Sequence, residues 1–154
     1  MAKRMMADSD FERSLFADDP LFGILLKARF DILPRTGNCI PDLKTCEDAS
    51  IEAAEKAIGS YGYFRQAAFY LRVARLLGIQ KEAFVYIFVE KSPPYAVACY
   101  QLADEVLLAG DKLIERDLQL LQNCMSEGKW PGYGDGVRGV GVPGWMMKQL
   151  EQIA

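Results

Sequence analysis

The chain has 154 residues, of which 51% are apolar and 25% charged, with a formal net charge of −3. That balance fits one soluble domain with its own hydrophobic core and excludes a disordered, polar chain. The mild acidity argues against a protein that coats nucleic acid by bulk charge, but not against one that grips it in a single groove. No apolar run approaches the roughly 18 residues of a membrane span. The opening "MAKRMMADSDFERS" has no apolar core of signal-peptide length, so a cytoplasmic protein is expected. There is no histidine, which removes Ser-His-Asp and Cys-His catalysis. Cys39, Cys46, Cys99 and Cys124 show no Cys-x-x-Cys spacing. They read as reduced, mostly buried thiols rather than a zinc or iron–sulfur framework.

The pattern predicts a first strand over 11–17, closed by the turn "DDPLFG". Second and third strands follow over 23–33 and 38–45, joined by "PRTGN". "EDAS" offers capping side chains to a short helix over 51–60. A longer helix begins at "YFRQAAFYLRVARLLG", with Phe64, Ala67, Ala68, Leu71, Val73, Ala74 and Leu77 on its apolar side and Gly78 as its stop. "EAFVYIFVEK" is almost unbroken in aromatic and branched residues, as in a strand buried on both faces. "PPYAVACYQL" pairs with it across "KSPP". A long amphipathic helix spans 103–126 and ends near Gly128. The Gly- and Pro-rich stretch from Trp130 to Trp145 is expected to lack regular structure, the two tryptophans serving as packing anchors. "MMKQLEQI" closes with a short helix. The order β-β-β-α-β-β-α predicts one domain over 1–154, α/β in the α+β sense, with a mixed central sheet flanked by helices.

The residues that carry chemistry lie around "KARFDILPRTGNCIPDLKT". Asp31 ends an apolar strand and Asp42 opens the triplet Asp42-Leu43-Lys44. Residues i and i+2 of a strand share a face, so Asp42 and Lys44 point one way and Leu43 points to the core. Pairing across "PRTGN" brings Asp31 to Asp42. Two carboxylates at one spot repel unless a positive charge lies between them. Hard oxygen ligands suit Mg²⁺, and a metal with a lysine beside it is suited to activating water against a phosphodiester. The plain alternative is a pair of strand-end carboxylates with a salt-bridging lysine. Arg65, Arg72 and Arg75 share one helix, where they either meet phosphates or remain solvated.

These residues resemble the PD-(D/E)XK nuclease signature: Phe30-Asp31 stands where that superfamily has Pro-Asp, and "DLKT" supplies the acid-x-Lys. Pro41-Asp42 is a decoy, since no acid-x-Lys follows it at a sensible distance. "YGYFRQAAFYL" is similar to the Gln-x-x-x-Tyr helix of the RecE-like and YqaJ-like phage recombination exonucleases. "FVEKSPPYAVACYQL" and "CMSEGKWPGY...VPGW" resemble the same branch, so the likeness runs from about Glu12 to Trp145. It implies a restriction-endonuclease-like core and a DNA exonuclease using Mg²⁺, with Mn²⁺ as substitute, on duplex ends. Asp31 and Asp42 then correspond to metal-binding acids, with the Leu43 carbonyl and Glu12 as further ligands. Lys44 corresponds to the lysine that orients or activates water, and Gln66 and Tyr70 to residues that support the site or touch DNA. A single-strand annealing protein and copies of the chain itself are the implied partners. Members of that branch carry a longer helical N-terminal region than the segment before Glu12 provides. The alternative reading is therefore a catalytically inactive nuclease-like module that binds DNA or a recombination partner.

Overall fold

The computed structural model describes residues 1–134 and 136–153. Its elements are α1 (Ala2–Met6), β1 (Ser9–Asp19), β2 (Ile24–Pro34), β3 (Cys39–Cys46), α2 (Ile51–Ser60), α3 (Tyr63–Leu76), β4 (Ala83–Glu90), β5 (Val97–Gln101), α4 (Asp104–Glu127) and α5 (Gly144–Glu151). β1 and β2 form an antiparallel hairpin, in register from Ser9↔Pro34 to Asp19↔Ile24. Its turn needs Gly23, at φ 64°, where a side chain would be strained. Along β2, Ile24, Leu26, Ala28, Phe30 and Ile32 are buried while Leu25, Lys27 and Arg29 are exposed, the alternation of a sheet with one covered face.

β3, β4 and β5 make a second, mixed sheet. β3 runs parallel to β4, from Cys39↔Ala83 to Cys46↔Glu90, and β5 runs antiparallel to β4. A parallel pair needs a crossover, and α2 and α3 supply it. Ser50 caps α2 by accepting from the Ala53 N–H, as "EDAS" predicted. β4 is the central strand, and Phe84, Tyr86 and Phe88 are essentially without exposure. α3 packs against β1, β2, β4, α2 and α4, so it ties both sheets together. Its buried side chains are Ala67, Ala68, Leu71, Arg72, Val73 and Ala74. The crossing with α4 is close because position 110 is glycine: a Cβ there would lie 2.7 Å from the Phe64 carbonyl oxygen and 2.9 Å from the Ala68 Cβ.

The sheet flanked by helices matches the expectation, but the strand partners differ from it. β2 lies beside β3 without a ladder between them; its ladder is with β1, and that of β3 is with β4. "PRTGN" is thus a link between sheets, and Lys81 pins it by donating from Nζ to the carbonyls of Thr36 (3.3 Å) and Gly37 (2.7 Å). Leu43 was expected in the core and is 42% exposed. The covered face of β3 is the one that Ile40 and Asp42 share, since α3 lies against it. Trp130 and Trp145 are exposed rather than packing anchors. Regular structure is absent from 129–143 among the described residues, as composition predicted.

Candidate functional site

The site is built where β3 meets the first turn and a half of α3. Strand alternation puts Asp42 and Lys44 on the face toward α3. Gln66 is the fourth residue of that helix, and Tyr63 is the first. Asp42 is only 1% exposed and Lys44 17% at the side chain. Gln66 Nε2 donates to Asp42 Oδ1 at 3.0 Å, and Lys44 Nζ donates to Gln66 Oε1 at 3.1 Å. Lys44 Nζ also lies 2.5 Å from Asp42 Oδ2. At that separation the ammonium is the partner of Oδ2. Carboxylate, amide and ammonium therefore close a ring of three contacts.

Aromatic rings form the floor. The Lys44 ammonium stands 4.7 Å from the centroid of Tyr63 and 5.7 Å from that of Tyr86, positions in which a ring quadrupole attracts a cation. Tyr86 donates its hydroxyl to the Tyr63 carbonyl at 2.7 Å, which fixes the start of α3 to β4. Burial pushes the Tyr86 phenol far above its ordinary range, so it stays a neutral donor. Sequence patterning missed both tyrosines as site residues. The signal was present in "YGYF" and in the alternation Phe84-Tyr86-Phe88, which puts Tyr86 on the face of β4 toward α3.

Burial pushes the Asp42 carboxyl above the usual carboxylate range, and the negative charge of Asp31 pushes it the same way. Lys44 and Gln66 work against that rise. Asp31 itself is half-buried on β2, on the side of the strand opposite Phe30 and Ile32. Asp31 thus bears on Asp42 by charge alone, with no ladder joining their strands.

The remaining predicted residues sit as follows. Glu12 lies opposite Asp31, between the pairs Phe11↔Ile32 and Arg13↔Phe30, and its φ of 54° interrupts the ladder. Its exposed carboxylate is paired with Arg29. Among the described residues, no group of three or more acidic or cysteine side chains comes together as a metal cluster, so Glu12 is not assembled with Asp31 and Asp42. Tyr70 is one turn beyond Gln66, its ring 4.9 Å from Phe30 and 6.2 Å from Phe84. It supports the helix from below. Leu43 holds the middle of the Asp42-Lys44 segment, paired in register with Ile87. Of the three arginines of α3 only Arg72 is turned into the protein; Arg65 and Arg75 are exposed, each at long range from one acid. Arg65 is 3.9 Å from Asp117 and Arg75 is 3.8 Å from Asp111. Arg72 is buried, 2.7 Å from Asp19 and 3.7 Å from Glu115.

A family described as "PDDEXK-like domain of unknown function (DUF3799)" matches residues 3–138. The chain belongs to that PDDEXK-like family. No curated protein matches it. Among solved structures, a candidate exonuclease from Eubacterium rectale superposes on it with a TM-score of 0.57 at 16% identity. That alignment covers 87% of this chain and 57% of the other, so the chain spans little more than half the length of that protein. A second structure, called SSO0001, gives a TM-score of 0.45 at 20% identity, over 75% of this chain and 51% of the other. At such identities the first likeness speaks to the fold alone. In chain order Asp31 on β2 precedes the Asp42-Leu43-Lys44 triplet on β3, with Phe30 rather than proline before Asp31.

The donor set fits a hard divalent cation. Asp42 is a buried carboxylate whose proton affinity is raised by burial and by the charge of Asp31. A cation would relieve both. No helix among the described residues is long and apolar enough to cross a membrane.

Proposed function

We propose that the chain is the core of a metal-dependent deoxyribonuclease, an exonuclease of the phage or prophage recombination type that hydrolyses phosphodiesters at duplex ends. The single observation that carries this reading is the closed Asp42–Gln66–Lys44 ring, with Asp31 acting on Asp42 from the next sheet. A lysine held against a buried carboxylate marks a candidate functional site. Asp31 and Asp42 would hold Mg²⁺ or Mn²⁺, with the Leu43 carbonyl as a further protein donor. Glu12 joins them only when it leaves Arg29. When bound, the cation polarises the phosphodiester and offsets the charge that develops on its oxygens.

The chain's own groups do the rest. Asp42 is fixed by the Gln66 amide, so one carboxylate oxygen keeps its direction while the other faces the reacting centre. Lys44 carries its positive charge to the place where negative charge builds on the phosphoryl group, and its remaining N–H groups orient the attacking water. Tyr63 and Tyr86 hold that ammonium by their faces without neutralising it. Tyr70 packs against Phe30 and Phe84 and keeps Gln66 in place.

One domain over 1–154, a cytoplasmic location, association of copies of the chain and an annealing partner belong to the same proposal. One observation favours a second reading, a non-catalytic DNA-binding module: Glu12 is held by Arg29, and among the described residues no three-acid group is formed. Digestion of linear and circular duplex DNA with and without Mg²⁺ decides between them. The enzyme reading expects Mg²⁺-dependent loss of linear DNA and a loss of roughly 10²-fold or more in rate for Lys44→Ala, the scale of one positioned catalytic group. DNA binding without cleavage by wild type leaves the module. Equal cleavage by wild type and Lys44→Ala puts the active site elsewhere.

A further inference from the structure

We propose that Tyr61 and Tyr63 form a stacking platform for an unpaired base of the strand under attack, so that the site takes a frayed or single-stranded terminus. The inference rests on the nuclease reading and deepens it. Tyr61 ends α2 and is 73% exposed, an unusual position for an aromatic ring with no burial to hold it. The ring is not loose on the surface. It lies 5.4 Å from the Tyr63 ring with the two planes 34° apart. Tyr63 is anchored in turn: its ring is 5.5 Å from Tyr86, and the Tyr86 hydroxyl holds its carbonyl. The Tyr61 backbone is fixed by its N–H donating to the Ala57 carbonyl at 2.9 Å, and Gly62, at φ 65°, allows the chain to turn directly into α3.

The result is a row of rings, Tyr61 outermost and Tyr86 innermost, with the Lys44 ammonium against the middle one. The exposed ring is therefore one ring removed from the group that meets the scissile phosphate, the reach of a base from its own backbone. Aromatic faces stack any base, which suits an enzyme that degrades without regard to sequence. A base inside a duplex has both faces covered and a terminal pair is tied to its complement, whereas an unpaired base can turn out of the stack and offer a face beside its own backbone. On α3 itself Arg72 is buried against Asp19, while the exposed Arg65 and Arg75 stand 3.9 Å from Asp117 and 3.8 Å from Asp111.

The test uses the full chain and short fluorescein-labelled oligodeoxynucleotides, with affinity read by anisotropy in EDTA. Wild type, Tyr61→Ala and Tyr61→Phe are compared on a single strand, on the same strand with an abasic terminal nucleotide, and on a blunt duplex. Tyr61→Ala is expected to lose about tenfold in affinity for the single strand, within the range that one aromatic–base stack supplies. Tyr61→Phe keeps the ring and should bind as wild type does. The abasic nucleotide should weaken wild type by a similar factor and add nothing to Tyr61→Ala, because both remove one contact. Equal affinity of Tyr61→Ala and wild type overturns the platform, as do abasic and Tyr61→Ala losses that add. Mg²⁺-dependent cleavage of the same strands is followed alongside. Wild type that neither binds nor cleaves takes the nuclease reading down with the platform; cleavage that Tyr61→Ala leaves untouched removes the platform alone.

Discussion

Replacing Gln66 by leucine keeps the volume of the side chain and removes both of its hydrogen bonds at the site. Nε2 no longer donates to Asp42 Oδ1, and Oε1 no longer accepts from Lys44. Hydrogen bonds to charged groups are worth about 1.5–3 kcal/mol, and stranding a buried acceptor costs about 1–3 kcal/mol. Part of that is offset, because Lys44 keeps its contact with Asp42 Oδ2 and leucine adds apolar surface. A net loss of about 2 kcal/mol at neutral pH is expected, or roughly 4–8 °C in Tm for a chain of this size. The sign of the pH dependence follows from Asp42. Its folded-state pKa is raised, by burial first and by Asp31 second. A raised carboxyl favours the folded state at low pH and withdraws that favour as pH rises through the folded pKa. Loss of the amide donor raises it further, so the deficit of Gln66→Leu should grow with rising pH and shrink in acid. Urea and thermal unfolding followed by circular dichroism measure both, with Asp42→Asn and the double variant completing a cycle whose coupling should exceed about 0.5 kcal/mol. A Gln66→Leu protein within about 0.5 kcal/mol of wild type, the scatter of ordinary surface changes, would refute the ring of contacts.

Asp19→Asn should cost about 3 kcal/mol, the low end for breaking a buried ion pair, because Arg72 keeps Glu115 at longer range. Burial pushes Asp19 up, but Arg72 and the Leu21 backbone N–H hold it net below the usual value. Its stabilisation is therefore present above the ordinary carboxylate pKa and lost as pH falls through the folded one; acid titration of stability should be shallower in Asp19→Asn than in wild type. Gly110→Ala should destabilise by about 1–3 kcal/mol through overpacking against α3, less the roughly 1 kcal/mol that alanine returns in helix propensity. A net gain in Tm for that variant would mean that α3 and α4 are not in close contact at Phe64 and Ala68.

Much of the fold was legible because its strongest signals are local. β4 is read from unbroken aromatic and branched residues, α3 and α4 from helical spacing, and the caps from Ser50 and Gly128. The partners of β2 and β3 were not legible. Ladder choice depends on long-range packing, and here β3 takes a parallel partner across two helices rather than its neighbour in sequence. Leu43 went the wrong way for a related reason. Alternation says only that it opposes Asp42; which face α3 covers is decided by the tertiary fold, and a buried carboxylate under a helix is not what hydrophobic patterning expects. The buried Arg72 was invisible for the same cause, since its partner Asp19 is far away in sequence. Asp42, Lys44 and Gln66 were all named from sequence, and they do meet. Tyr63 and Tyr86 escaped because aromatic residues in a strand and at a helix start read first as core.

The central claim is that Asp31 and Asp42 hold one divalent cation beside Lys44. Melting of the purified chain with Mn²⁺ or Mg²⁺ tests it most directly, because a ligand that binds only the folded state raises Tm by mass action, whether or not cleavage is seen. A saturable rise in Tm is expected for wild type and for Lys44→Ala, and none for Asp31→Asn or Asp42→Asn. An equal rise in wild type and Asp42→Asn would place the cation elsewhere and contradict that claim.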